Sequence, residues 1–582
     1  MNQFHKHDVE ISNDLLDKNR SNSIKSLRQI NNLEKKIGRN KDTLIARGAL
    51  YFNKKDYEKA KFYFALAAQE QYDTRILSCL LKVHSKLDTI NETKVYFLEA
   101  KEALSRNHTF WQLWGYVYLE LKEFNHAVEC FRRAKNYNFP NKKLNAEFLI
   151  KSLNNADLND ELLIVAEEEL KNGNKEEYLI ECYVGALISK EKFKEAYDFL
   201  NKEDFDWSDS AKLNAFYALC INVVFEDTEK AISFNERAVD LDPGNIQIRW
   251  NLALTQLRAG KIMEGIENYK IRFEWKKFPS PRRKFDVPKW DESVNKKSKI
   301  LIWTEQGLGD DLLFSTAIKD FIKDFPNIIF EHHNKTSDLM RVAFPDIQCR
   351  EALFRPDLTP IYFDYDYHVP LGDLYLRMLS QNIEILDNGG HLKNKHYLEP
   401  DLLRAKYWEF KLPKNRKPKI GFAWTSKKLD EGREKHHTQI KDWVPMLKRK
   451  DVDFVSLQYN FDFHDLKELE EDYSKYFFDT GYLDQLDDIE GAVALISNLD
   501  LVITSGSAPF ILSGALGKET WVYGQYGPFS LGRKGQFFSN PVLPMVKHYT
   551  TPESANDEKL IQNFSEKLDN YVSNFHSKNS LK

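Results

Sequence analysis

The chain has 582 residues, 42% hydrophobic and 13% aromatic, with a formal net charge of -4. That length exceeds a single hydrophobic core, and the apolar content excludes a disordered chain. The near-neutral balance excludes a global field that would draw in nucleic acid or an anionic membrane, so no nucleic-acid partner is expected.

The start of the chain, from Met1 through His5, His7 and Asp8, is polar and lacks the apolar core of a signal peptide. No apolar run approaches the ~20 residues that span a bilayer. Cys79, Cys130, Cys182, Cys220 and Cys349 are dispersed, without the spacing of a zinc site or a disulfide framework. A cytoplasmic protein with no transmembrane segment is expected. Residues 1–40 read as a polar, helical lead-in.

Residues 41–275 read as a helical array. Gly48, Tyr51, Tyr57, Ala60, Phe64 and Ala67 have the same relative spacing as Gly115, Tyr118, Phe124, Ala127, Phe131 and Ala134. The offset, 115 − 48 = 67, is close to twice the 34-residue period of the tetratricopeptide repeat. The segment resembles that family, with a degenerate copy between the two clear ones and further copies around Phe193, Ala231 and Trp250. Small residues belong where the two helices of a hairpin cross, and aromatics fill the space to the neighbouring unit. Such a stack commonly presents a concave face to a partner. Residues 276–298 follow as a linker, Pro279-Ser280-Pro281-Arg282-Arg283-Lys284 and then Trp290, read as an extended, solvated connector pinned by one aromatic.

From 299 onward strands alternate with helices, which implies parallel, doubly wound sheets. The first lobe, 299–410, opens with Ile300–Trp303 as a strand and Glu305-Gln306-Gly307-Leu308-Gly309-Asp310 as a glycine-rich turn into a helix. The second lobe, 411–582, begins after a polar, basic stretch from Lys411 to Lys419. Its strands are expected at Ile420–Trp424, Phe454–Leu457, Leu501–Thr504 and Thr520–Tyr523. The fold class is therefore α plus α/β, a solenoid followed by two Rossmann-like lobes facing across a crevice.

Tyr269-Lys270-Ile271-Arg272, Pro288-Lys289-Trp290-Asp291, the turn 305–310, Ile420-Gly421-Phe422-Ala423-Trp424, Ser456-Leu457-Gln458 and Gly514-Ala515-Leu516-Gly517-Lys518 occur in order. This set resembles bacterial proteins that join tetratricopeptide repeats to a glycosyltransferase. Their transferase part is similar to the ADP-heptose:lipopolysaccharide heptosyltransferases of the two-lobed GT-B fold. The resemblance implies an inverting, metal-independent, nucleotide-sugar-dependent transferase needing no cofactor, with a protein or surface-glycan acceptor docked by the repeats.

Transfer requires a base for the acceptor hydroxyl and groups that stabilise the departing nucleotide phosphate. The resemblance puts the base at Asp310, where a carboxylate would also cap the following helix. Gly307 and Gly309 are candidate donor-binding positions, although they supply only two glycines of a dinucleotide fingerprint and a carboxylate there would repel pyrophosphate. The donor is expected in the second lobe, on Ser505, Gly506 and Ser507, where a strand ends and Ser507 and Pro509 open a helix. Lys427 and Arg433 are candidate cations for the diphosphate, Gln458 a contact for base or ribose, and Arg533, in a late glycine- and aromatic-rich loop, a phosphate contact. The related enzymes read Asp-Thr and, four residues later, His where this chain has Gly506, Ser507 and Ile511. That departure keeps open a catalytically silent scaffold. No metal site is expected. His436 and His437 lack a third ligand, and Asp364-Tyr365-Asp366 is a pattern that 88 acidic residues produce by chance.

Overall fold

The computed structural model describes residues 27–202, 205–280, 282–393, 395–425, 438–459, 475–478, 480–481, 483–524, 527–533, 537–549 and 557–580. The chain divides into two compact units, Met1–Phe205 and Asp206–Lys582. Tetratricopeptide-like helical hairpins occupy the first unit and open the second, and two α/β lobes with parallel sheets complete the second.

The repeat period is written in the backbone of the hairpin turns. Left-handed φ values occur at Lys55, Asp88, Lys122, Asp157, Glu191, Glu226 and Gly260, at intervals of 33 to 35 residues. Each turn forces one residue into a conformation that L side chains resist, and only the last supplies glycine. In the first unit, Lys41–Asn53 pairs with Tyr57–Glu70 and His108–Glu120 with Phe124–Asn136. A Cβ on Gly48 would lie 2.5 Å from the Phe64 ring, and one on Gly115 would lie 2.7 Å from the Phe131 ring. The glycine is thus the seat of the aromatic in its own hairpin. Phe131 in turn stacks on Phe148 of the next one, with ring centroids 5.5 Å apart.

In the second unit the hairpins Ala211–Val224/Thr228–Leu241 and Ile246–Ala259/Ile262–Tyr269 precede the lobes. Among the described residues the first lobe holds a parallel sheet ordered β3 (Gln348–Glu351), β2 (Ile328–His332), β1 (Ile300–Trp303), β4 (Tyr367–Pro370). The second holds β6 (Asp453–Ser456), β5 (Lys419–Ala423), β7 (Leu501–Ser505), β8 (Thr520–Tyr523), β10 (Val546–Tyr549), β9 (Phe537–Ser539). Among the described strands there, only β9 runs antiparallel to its neighbour.

One apolar core runs through the unit, from Trp250 and Leu257 of the last hairpin, through Ile300, Ile302 and Phe314, to Leu512 and Ala515. The other face of the first sheet is covered by the linker. Phe285 and Val287 pack on buried Leu301, Ile329 and Tyr365. Arg283 lies over the Trp303 ring, 5.0 Å from its centroid, and reaches Glu331 at 2.9 Å. This segment is a packed strap rather than the solvated connector expected, because its Arg283 joins Arg350 in pairing with buried Glu331 while Phe285 and Val287 cover the sheet. The final helix, Asp557–Ser580, packs on Ile440–Leu447, and its Phe564 belongs to the cluster of Trp443 and Tyr523 over the second sheet. Among the described residues no helix is long and apolar enough to cross a membrane.

Candidate active site

The turn after β1 is held from three directions. Glu305 is buried and forms a bidentate pair with Arg272, from the end of the last hairpin, at 2.8 Å for each bond. Arg272 also bonds Asp373 at 2.7 Å, and Asp373 pairs with Lys289 at 2.5 Å. Burial pushes the Asp373 carboxyl up, but Arg272 and Lys289 outweigh it and hold the group below the usual carboxylate range. Gln306 adopts φ +67°, with its N–H donating to Ser280 Oγ and its Nε2 to Tyr269 Oη at 3.0 Å. A strained non-glycine residue fixed by so many partners is a feature that clusters at functional turns.

Asp310 lies just beyond. The helix Leu308–Phe314 begins earlier than expected, with Gly307 as its N-cap, so Asp310 occupies the third helical position instead of the cap. Its Oδ2 lies 3.9 Å from where a Cβ on Gly307 would stand, so the carboxylate folds back over the exposed turn. The half-buried Asp310 adds to the burial that raises the Tyr269 phenol and the Asp311 carboxyl. Asp311 is the inward carboxylate. Its Oδ1 accepts from Glu305 N–H at 3.1 Å, and burial holds its pKa well above the ordinary value. The two neighbours therefore differ in burial: Asp311 is buried and ties the turn together, whereas Asp310 is half-buried over the turn. Gly309 has open space where a side chain would be.

In the second lobe, β7 ends at Ser505, and Gly506 is exposed with open space beyond its Cα. Ser507 is the N-cap of Ala508–Ala515, but its hydroxyl makes no cap bond. It lies 3.2 Å from Thr504 Oγ1, while Ser507 N–H donates to Ser505 O at 2.6 Å. Ile511 is buried in the common core with Leu312 and Phe314, so this position, one turn into the helix, is apolar packing. The helix opened by Gly307 and the helix opened by Ser507 pack against each other. Their preceding turns both lie at the carboxyl ends of parallel strands.

Gln458 and Arg533 are occupied by backbone. Gln458 Oε1 accepts from Trp424 N–H at 2.9 Å and Thr425 N–H at 3.0 Å, and its Nε2 donates to the carbonyls of Thr425 and Tyr459. It shapes the exit of β5. Arg533 donates to the carbonyls of Leu386 at 3.3 Å and Gly390 at 2.5 Å. It also lines a cavity of about 440 Å³ with Gly260, Lys261, Ile383 and Leu386. Lys427, Arg433, His436 and His437 lie outside the described residues.

Sequence reading missed Arg272, Glu305, Tyr269, Asp373 and Lys289 as members of one network. Arg272 pairs with Glu305 33 residues away and with Asp373 101 residues away, separations that leave no local signal.

A tetratricopeptide-repeat family model matches residues 42–73 and 108–141. Over 312 residues the chain is 27% identical to Protein FlbA of Caulobacter vibrioides (strain ATCC 19089 / CIP 103742 / CB 15), covering 51% of this chain and 50% of that protein. The chain thus spans about half the length of the curated relative it matches. Among solved structures it is similar to the glycosyl transferase family 9 from Veillonella parvula DSM 2008, at TM-score 0.33 and 15% identity, covering 48% of this chain and 98% of that one. It is also similar to Pseudomonas aeruginosa pilF, at TM-score 0.28 and 17% identity, covering 36% of this chain and 95% of that one.

Proposed function

We propose that the two lobes form an inverting, metal-independent glycosyltransferase that takes its sugar from a nucleotide-sugar donor and passes it to a protein or surface-glycan acceptor selected by the repeats. The observation that carries this reading is the packing of the Leu308–Phe314 helix on the Ala508–Ala515 helix. It joins the turn bearing the half-buried Asp310 to the turn with an exposed glycine at the end of β7. Asp310 takes the proton from the acceptor hydroxyl as that oxygen attacks the anomeric carbon. The bond from that carbon to the diphosphate oxygen breaks, and the electron pair leaves on the phosphate. Backbone at Gly506, with Lys427 and Arg433, would meet that charge. The decisive experiment is Asp310→Asn, with turnover expected to fall about 100- to 10,000-fold while the melting temperature stays put. Retained turnover would remove Asp310 from the mechanism.

A second reading, a silent scaffold, draws on the buried Ile511 and on the hydroxyls of Thr504 and Ser507, which satisfy one another. Calorimetric titration with ADP-, UDP- and GDP-sugars separates the two, since failure to bind any of them favours the scaffold.

A further inference from the structure

The helix Leu402–Lys411 turns its apolar side outward. Leu402, Leu403, Tyr407 and Phe410 fall on one face at helical spacing, and they are 73%, 77%, 52% and 77% exposed. Among the described residues no large apolar side chain is more exposed than Leu402, Leu403 and Phe410. The orientation is enforced from the other side. Trp408 is buried, the helix packs on Ile489–Ser497, Arg404 reaches Asp488 at 2.7 Å and Glu490 at 3.2 Å, and Asn498 donates to Ala405 O at 3.0 Å.

Charge gathers around this face. Between 402 and 419 the chain has seven Lys or Arg side chains against one acid, Glu409. Arg404 and Lys417 are engaged in ion pairs, whereas Lys406, Lys411, Lys414 and Arg416 are exposed. Lys406 falls within the outward side by helical spacing, and the exposed Lys411 borders it, with its ammonium 5.7 Å from the Tyr407 ring centroid.

We infer that this helix is a peripheral membrane-docking element that lies on an anionic lipid surface. Leu402, Leu403 and Phe410 enter the headgroup region, Tyr407 sits at its boundary, and the four exposed cations meet lipid phosphates. The basic collar selects this occupant. A two-fold dimer through the same face would set the collars against each other, whereas a bilayer with acidic headgroups complements both the apolar stripe and its rim. The site lies beside the meeting of the lobes, because Lys335, just after β2, pairs with Asp487, the residue preceding Arg404's partner Asp488. If the transferase reading holds, docking would bring a lipid-surface acceptor to the crevice, but the docking itself stands without it.

The test is co-sedimentation of the full-length protein with vesicles of equimolar phosphatidylcholine and phosphatidylglycerol, and with pure phosphatidylcholine, in the absence of any sugar donor. The wild type should bind the anionic vesicles, more weakly at high salt, and bind the neutral ones poorly. Leu403→Glu with Phe410→Glu should lower the anionic partition at least about tenfold at an unchanged melting temperature. Lys406→Glu with Lys411→Glu should abolish the preference for anionic lipid, providing a second variant that leaves the apolar stripe intact. No vesicle binding by the wild type, binding indifferent to lipid charge, or equal binding by both variants would overturn the inference. So would a wild-type dimer that the Leu403/Phe410 variant converts to monomer, which would assign the face to a second copy.

Discussion

The carboxylate of Glu305 occupies the space that a side chain at Gly372 would need. A Cβ on Gly372 would lie 2.1 Å from Glu305 Oε1 and 3.2 Å from Arg272 Nη2. Gly372 is in the first turn of Leu371–Gln381, so the acid sits against a helix N-terminus while Arg272 clasps it from the repeat side. The glycine is an opening cut for an ion pair.

Gly372→Ala should therefore destabilise, although alanine is favoured over glycine in helices by up to ~1 kcal/mol. Glu305 cannot swing aside without giving up its bidentate partner, so an overpacking loss of about 1–3 kcal/mol is expected in urea unfolding. A variant as stable as the wild type would mean that Glu305 has somewhere else to go.

Arg272 itself is 1% exposed in its side chain and faces two carboxylates. Arg272→Ala leaves Glu305 buried without its cation and Asp373 with Lys289 alone, and a loss of about 3–5 kcal/mol is expected. Arg272→Lys keeps the charge but not the fork, and should recover only part of it. A double cycle with Glu305→Ala should be strongly sub-additive. Additive losses would show that the two residues are not a unit.

Asp311→Asn should be nearly neutral, because the amide oxygen can still accept from Glu305 N–H and burial already disfavours the charged form. Asp311→Leu strands that buried N–H and should cost about 1–3 kcal/mol. Equal losses in thermal melts of the two variants would refute the tie assigned to this carboxylate.

Much of this architecture was legible because its signals are local. β1 and β8 begin and end where the expected strands Ile300–Trp303 and Thr520–Tyr523 do. The helix expected after the glycine-rich turn is instead two helices, Leu308–Phe314 and Ile318–Asp324, joined by a 3-10 turn at Ser315–Ala317. Edge strands were missed where alternation is weak, as in β3, Gln348–Glu351, which has no fully buried residue. Roles that depend on distant partners were not legible at all. A basic linker gives no hint that Arg283 ends against Glu331, 48 positions away, and nothing around Gln458 announces that its amide will shape the exit of β5.

The repeat hairpins give the clearest sign reversal. In an exposed helix, Gly→Ala gains up to ~1 kcal/mol. At Gly48 and Gly115 the new methyl would strike Phe64 and Phe131, both buried. Each substitution should cost about 1–3 kcal/mol in the first unit. Trimming the ring, as in Gly115→Ala with Phe131→Leu, should recover more stability than the two single effects sum to. If Gly115→Ala stabilises in thermal melts, the close seat of the ring is refuted.

Acid should act through His368. Its Nδ1 accepts from Trp303 Nε1 at 3.2 Å, and its ring stacks on Phe285 with centroids 3.8 Å apart. Burial, then the charges of Lys289 and Arg282, push its pKa down to about 4. Protonation on Nδ1 would set two donors against each other, so the folded state resists it. Between the ordinary value near 6.5 and about 4 the unfolded chain binds the extra proton, so stability from this group is complete above that window and drains away as pH falls through it. Burial also pushes His548 down to about 4, so it adds to the same slope. His368→Gln keeps an acceptor for Trp303 but cannot titrate, and its urea midpoint should fall less than the wild type's between pH 7 and about pH 4.5. Parallel curves for the two proteins would place the acid sensitivity elsewhere, and a steeper curve for the variant would mean that the imidazole is protonated in the folded state.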